Sequence, residues 1–419
     1  MIKTTRYDKI FSMLQYVGAT FGFFGMLYAA VVLYIPSQLL TVPYRGGFLL
    51  LAVFLFFRYR ISQARPMYSG VLVYAFVAFW ILYLVAILIE PVDHLFQPKS
   101  TYLKLIAGGI LVPSLVFLFS KTATELRVGH QSVLCMCAIV GLSSFFLYGD
   151  ASGLGRAEKG EFIGGFVTLG PLQLSYLGSV SILLGLNCFL DRQVFRWRVV
   201  RFGLAALLLI FGAFQISIGA SRGAVVAVVV VSFIVIFARV RSTRSFFGSL
   251  GGLCILVIAG GLVVVFSENL GSALFDRLMK MMYTQDTYTF GGHGIGRIYL
   301  YHAAIEQFLE RPLFGGGLSI RGMFTYPHNG ILEAFMATGV LGGVLFTAYF
   351  FGVARRAIFL IRYHPSLAWV SILYLHYAIN IMFSSNLSSN TYFWYTSMMV
   401  IGVSEFCGVK ENDRHAKAR

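Results

Sequence analysis

Charge is scarce in this chain. Lys, Arg, Asp and Glu make up 12% of its 419 residues, while 58% are hydrophobic. A soluble protein of this length carries about a quarter charged residues. The scarcity excludes an ordinary soluble domain, and the apolar runs are long enough to span a bilayer as helices. Cysteine is also scarce. All five (Cys135, Cys137, Cys188, Cys254, Cys407) fall inside apolar runs, so no external disulfide framework is implied. Cys135-x-Cys137 in a helix puts its side chains on different faces, which reads as packing. A glycine-rich nucleotide loop ending in Lys-Ser/Thr is missing, and so is a Gly-x-Ser-x-Gly nucleophile. Linkers, low-complexity segments and internal repeats are missing too.

What is present is a series of apolar segments at about 10–35, 41–57, 67–90, 102–120, 131–149, 165–190, 199–219, 223–238, 248–267, 331–354, 367–383 and 392–408. The first is too long for a signal-peptide core and lacks a small-residue cleavage site, so it is expected to remain as the first helix. The links between segments divide the charge by side. One set comprises the N-terminus, 58–66, 121–130, 191–201, 239–247, 355–366 and the tail KENDRHAKAR. It holds 22 of the 33 Lys and Arg and, with Glu405 at the same end of the last span, 6 of the 17 acidic residues, leaving 11 of each sign on the other side. The whole net charge of +16 therefore lies on one side. By the positive-inside rule that side is the cytoplasm, with both termini in it. The same bias accounts for the basic pI without nucleic acid as a partner.

The sequence leaves the apolar pattern at length only at 268–330, which the charge bias places outside. The expected organisation is thus 1–267 with nine spans, 268–330 as the external loop region, and 331–419 with three spans and a tail. Two pieces of the loop read as helical. Leu270–Tyr283 carries Leu274, Leu278 and Met282 at the spacing of a membrane-surface helix. Arg297–Glu310 carries Tyr301, Ala304, Ile305, Phe308 and Leu309 on one face and stops before Pro312. Gly291-Gly292 and Gly315-Gly316-Gly317 are turns around it. Another external link, 150–164, is short and mixed in charge. A third, Ser217–Gly223, is little more than a hairpin turn.

Three side chains on the outer face carry candidate chemistry. Arg222 lies among Gly219, Ala220, Ser221 and Gly223, where small neighbours leave room for a ligand. It reads equally as a snorkelling anchor or as a planar fork gripping a lipid-linked phosphate. Arg297 follows Gly294-Ile295-Gly296 at a helix start, a place suited to anions, or is simply a solvated first-turn residue. Arg277, Arg311 and Arg321 rival it, although Asp276 and Glu310 neighbour the first two. His328 precedes Asn329, which can cap the next helix, and its ordinary pKa suits a general base near neutral pH. The alternative role for His328 is to satisfy the helix end. His293 and His302 are the other candidate bases. No His-x₃₋₅-His pair, cysteine or Asp-x-Asp occurs in the loop, so no metal ligand set is expected there.

Together the pieces resemble the O-antigen ligase and polymerase superfamily of bacterial membrane glycosyltransferases. The resemblance rests on Gly219-Ala220-Ser221-Arg222-Gly223-Ala224, Gly296-Arg297, Arg311-Pro312-Leu313-Phe314-Gly315-Gly316-Gly317, and His328-Asn329 running into Gly339-Val340-Leu341-Gly342. The interval from His328 to Gly339 resembles that of lipid A core–O-antigen ligases in particular.

The resemblance implies an all-α polytopic membrane protein of the GT-C class, with about twelve transmembrane helices and one large periplasmic loop containing helices. It implies residence in the bacterial inner membrane and a glycan donor on undecaprenyl diphosphate. The acceptor would be the lipid A–core oligosaccharide, and neither metal nor cofactor would be used. Arg222 and Arg297 would hold the diphosphate and His328 would activate the acceptor hydroxyl, with Arg321, Arg277 and Asn329 in support. Inversion at the anomeric carbon follows for a single displacement. Polymerases of the superfamily usually balance two sizeable basic external loops. Protein O-oligosaccharyltransferases generally carry extra C-terminal sequence. Both features are lacking here, which favours a ligase. Outside the enzymes, a twelve-span secondary transporter would show repeated halves, broken helices and intramembrane ionisable residues. The sequence shows none of these clearly. A structural partner in an envelope complex would leave Arg222, Arg297 and His328 unexplained.

Overall fold

The computed structural model describes residues 5–33, 35–61, 65–91, 95, 97–148, 162–163, 166–167, 170–191, 194–240, 297–323, 325–384 and 386–417. The expected ninth span, the helix Leu270–Tyr283, the Gly291-Gly292 turn, Arg277 and His293 lie outside the described residues, as does most of 150–164.

The described chain is helical apart from one short antiparallel hairpin, Phe162–Ile163 with Phe166–Val167. The helices are α1 (Arg6–Gly18), α2 (Gly22–Val32), α3 (Ser37–Ile61), α4 (Val71–Ile89), α5 (Lys99–Leu118), α6 (Ala123–Tyr148) and α7 (Pro171–Leu190). They continue with α8 (Arg198–Gly219), α9 (Arg222–Arg239), α10 (Arg297–Glu310), α11 (Gly330–Tyr363), α12 (Ala368–Ile381) and α13 (Thr391–Lys417).

Among the described residues eight helices are long and apolar enough to cross a membrane: α3 to α9 and α11. The pair α1 and α2, bent by 73°, makes a ninth if taken as one broken span. The protein is a polytopic membrane protein; the expected count of twelve is not confirmed among the described residues, which leave out the ninth. The eleventh expected span is α12, whose 14 residues rise only about 21 Å, against a hydrocarbon core of about 30 Å. The twelfth falls within α13, which is not among these eight. The sixth begins as helix only at Pro171, after the hairpin.

The expectation of unbroken helices is overturned. Besides the α1–α2 bend, α5 carries a π-helical stretch at Lys104–Leu111. Glu125, His130, Glu333 and His376 are all buried within helices. The widened π turn exposes a carbonyl, and Tyr395 donates its hydroxyl to Gly109 O.

The chain forms two compact units. The first comprises Met1–Leu55, Lys121–Tyr283 and Ala357–His376. Its seam is made of small residues. A Cβ at Gly178 would lie 2.5 Å from Gly212 O, and one at Gly212 would lie 2.7 Å from Gly178 O. A Cβ at Gly185 would be 3.1 Å from Ala205 O. The backbones of α7 and α8 therefore touch along successive turns, as small residues allow in membranes. The seam runs on to Gly219, which abuts Ser175 and Pro171.

The second unit comprises Phe56–Ser120, Thr284–Arg356 and Tyr377–Arg419. Phe76, Phe79, Trp80, Phe346, Tyr349 and Trp394 form its aromatic centre, with Trp80 and Trp394 at 4.9 Å between ring centroids. Its distinctive feature is a break in α11. Gly339 adopts φ 66° and ψ −165°, so the helical bond from Val340 N to Met336 O is not made. Val340 N donates to Pro312 O at 2.7 Å instead, and Met336 O accepts from Gly316 N at 2.8 Å. The strap 311–317 thus satisfies two of the groups at the break. A Cβ at Gly339 would run into Leu313 O, and one at Gly315 would lie 2.5 Å from Ala337 O. These contacts give Arg311–Gly317 and Gly339 a joint structural purpose.

Gly339→Ala is expected to destabilise the protein, since a side chain meets both a left-handed φ and a backbone oxygen. Strain of this kind costs about 1–3 kcal/mol before the collision is counted. Thermal unfolding in detergent should show a clear drop in midpoint; an unchanged midpoint would contradict the strap geometry.

Candidate functional site

The small-residue seam presents Arg222. At its end α8 stops on Ala220, which has φ 45° and ψ 42°. An L-residue in this region costs about 1–2 kcal/mol, yet a buried alanine occupies it. Ala220 N donates to Ile216 O at 2.8 Å, and Ile216 and Ala220 pack with Ile182, Val225 and Val228. Ser221 is extended, and its backbone N donates to Ser175 Oγ at 3.1 Å. Its side chain does not cap α9. Arg222 opens α9 and is exposed, while Ala220, Ser221 and Ala224 are buried. An arginine thus projects from a helix start whose N-cap side chain leaves the first-turn N–H groups uncapped, an arrangement suited to an anion.

Arg297 is the exposed first residue of α10. One turn later Leu300 enters a buried cluster with Ala304, Ile320 and Met336, against which Ala303, Met323 and Leu332 pack. His328 precedes α11 and is half-buried, with φ 54°. Its ring lies 4.5 Å from that of Tyr326. Asn329 caps α11, its Oδ1 accepting from Leu332 N at 3.0 Å, as its sequence position suggested. Arg297 and His328 therefore each stand about one turn ahead of a residue, Leu300 or Leu332, in one apolar cluster. Ala220 and His328 are the non-glycine residues with positive φ among those described. Backbone strain of this kind concentrates at functional sites.

Of the supporting arginines, Arg321 is engaged within the fold. It pairs with Glu310 at 2.6 Å, donates to Gly316 O at 2.9 Å, and its backbone N donates to Gln307 Oε1 at 3.0 Å. It braces the strap. His302 is exposed on α10. The expected single apolar face of α10 divides, with Ala304 buried and Ile305 and Leu309 exposed.

Sequence reasoning missed Glu333. This carboxylate is 1% exposed in the first turn of α11. Tyr83 Oη donates to its Oε1 at 3.1 Å, and Leu387 N donates to both oxygens at 3.1 Å. A buried carboxyl group needs such partners to satisfy its oxygens. Glu333 thereby ties the beginning of α11 to α4 and to the segment before α13, five residues after His328. The signal was available, because an acid inside an apolar run is a functional flag by default. Tyr326, beside His328, has its pKa raised by burial and by the Glu333 carboxylate, so its hydroxyl stays protonated at neutral pH. Glu90, buried at the end of α4, lies against Gly317 of the strap.

Arg222 belongs to the first compact unit, and Arg297 and His328 to the second. Fold and residues together define a polytopic membrane protein whose exposed arginines open helices at the boundaries of its apolar segments. The O-antigen ligase family model matches residues 205–347, a stretch holding Arg222, Arg297, the strap, His328 and Gly339. The match supports membership of the O-antigen ligase and polymerase superfamily. No curated protein and no solved structure matches the chain.

Glu333→Ala should leave Tyr83 Oη and Leu387 N without their acceptor, at about 1–3 kcal/mol for each buried group left unsatisfied. Glu333→Gln keeps one acceptor oxygen and should lose less. Thermal unfolding of the purified variants separates them; equal losses would mean that the acceptor role is misassigned.

Proposed function

We propose that this member of the superfamily is a ligase, moving an O-antigen glycan from undecaprenyl diphosphate to lipid A–core oligosaccharide on the periplasmic face of the bacterial inner membrane. The observation that carries the reading is the coincidence of motif with geometry. Within the matched stretch, left-handed backbone occurs at His328 itself and two residues before Arg222. Both candidate diphosphate-binding arginines open helices.

In this reading Arg222 and Arg297 grip the donor diphosphate. The acceptor hydroxyl oxygen attacks the anomeric carbon as the carbon–oxygen bond to the diphosphate breaks. The bonding pair leaves with the phosphate, and the hydroxyl proton passes to His328. Guanidinium forks stabilise the charge that develops on the leaving group. The acceptor then needs only a correctly held weak base. Attack from the side opposite the leaving group inverts the anomeric centre. Tyr326, protonated beside His328, can orient its ring, and Glu333 holds the helix start that carries both.

The transporter reading gains from the broken α11 and the buried ionisable groups. It offers no account of an exposed arginine at each of two helix starts, and the superfamily match favours the enzyme.

A deletion strain distinguishes the enzymes. Loss of long-chain glycan from the lipid A core with lipid-linked polymer retained is expected for a ligase; loss of the polymer itself would indicate a polymerase.

With purified protein and lipid-linked donor, transfer should survive EDTA. Arg222→Ala and Arg297→Ala should each cut it severely, with only partial rescue by Lys. His328→Ala and His328→Gln should both lose about two to four orders of magnitude in rate, with little change in donor binding. Substantial activity in His328→Gln would reduce His328 to a positioning residue.

A further inference from the structure

The two apolar faces of α10 have different destinations. Leu300, Ala304 and Gln307 turn inward. On the far side Ile298, Ile305 and Leu309 are 52%, 42% and 64% exposed, and the strap continues with Leu313 at 61% and Phe314 at 73%. At about 100° per residue, Ile298, Ile305 and Leu309 fall on one narrow line roughly opposite the packed face. This line is not isolated. The strap carbonyl at Pro312 accepts from Val340 N, and Val340 is where α11 turns outward. Before Gly339, α11 has no exposed residue; after it, Val340, Leu341, Val344 and Phe351 are 40–59% exposed on a helix long and apolar enough to span. The Leu313–Phe314 ledge is thus bonded to the first turn of a span's lipid-facing surface.

We propose that α10 lies in the membrane–water interface, with Ile298, Ile305, Leu309, Leu313 and Phe314 immersed in the acyl chains of the leaflet that α11 enters. The occupant is lipid and not a protein partner because the line is narrow. Exposed His302, Glu306 and Glu310 run along one flank of it, and exposed Arg311 follows the helix end. A protein interface would desolvate those charges, whereas the headgroup layer leaves them hydrated. Arg297 and Arg311 stand at the two ends of the line, where phosphates lie. The interface thereby sets the depth of Arg297, independently of what chemistry the protein performs.

Tryptophan fluorescence tests this without an activity assay. Trp80, Trp369 and Trp394 are buried to 1% or less, while Trp197 is 71% exposed. In a Trp197→Phe background, Phe314→Trp and Leu309→Trp add single exposed reporters at positions with room for the ring. The protein is placed in bilayers of lipid brominated near the headgroup end, or near the middle, of the acyl chains. Immersion of about 5–10 Å should let the shallow bromines remove roughly half or more of the added emission. The deep bromines should remove less, and aqueous iodide little. Quenching by iodide but not by brominated lipid would show a water-facing helix and overturn the proposal. Protection from every quencher would mean that protein covers the line, and would overturn it equally.

Discussion

The second unit depends on the repair of one missing hydrogen bond. A helix that breaks within a span releases an N–H and a C=O where water is scarce, and each costs several kcal/mol if left alone. Here a single strap takes up one of each, Val340 N by Pro312 O and Met336 O by Gly316 N. The strap must then follow the break closely, which is why glycine stands at Gly315 and Gly339, both with positive φ. Because the strap follows α10 directly, the break also fixes where α10 lies. Gln307 and Arg321 hold the arrangement from the other side, donating to Ser319 O and Gly316 O. The position of Arg297 is therefore a distant consequence of a φ angle at Gly339.

Much of this was legible in the sequence, and the parts that were not share a cause. Composition and apolar run length gave the class, and the small residues around Arg222 gave a tight turn with an exposed arginine. Asn329 behaved as a cap because its side-chain chemistry is local. Contacts between distant segments were illegible. Glycines at 315–317 read as a turn, whereas Gly315 abuts the carbonyls of Met336 and Ala337 in α11, Gly316 the carbonyl of Gln307 in α10, and Gly317 the carboxyl group of Glu90. Arg321 read as a free cation because nothing local revealed Glu310 and Gly316 O as its partners. The count of spans was not confirmed among the described residues, and at α12 the apolar composition reflects burial inside protein. The centre of α12 is almost wholly buried and carries Ser371, His376 and Asn380, so its hydrophobicity faces other helices.

His328 and Glu333 illustrate how a site can be strained at one residue and secured at another. The histidine takes an unfavourable backbone conformation, half-exposed beside Tyr326. Five residues on, Glu333 is hydrogen-bonded from α4 and from Leu387. A buried carboxylate is poor value as a stabilising device compared with an apolar side chain of the same size. Its use here is to hold the start of α11 against two segments at once, so that the strained residue ahead of it cannot relax by unwinding the first turn.

The glycine seam between α7 and α8 has a mechanical consequence. Where Gly178 and Gly212 meet, main chain rests on main chain, with no side chain able to change rotamer and absorb a displacement. Two helices joined this way cannot slide or roll on each other by small amounts. They behave as one beam, and the turn bearing Arg222 is its rigid tip.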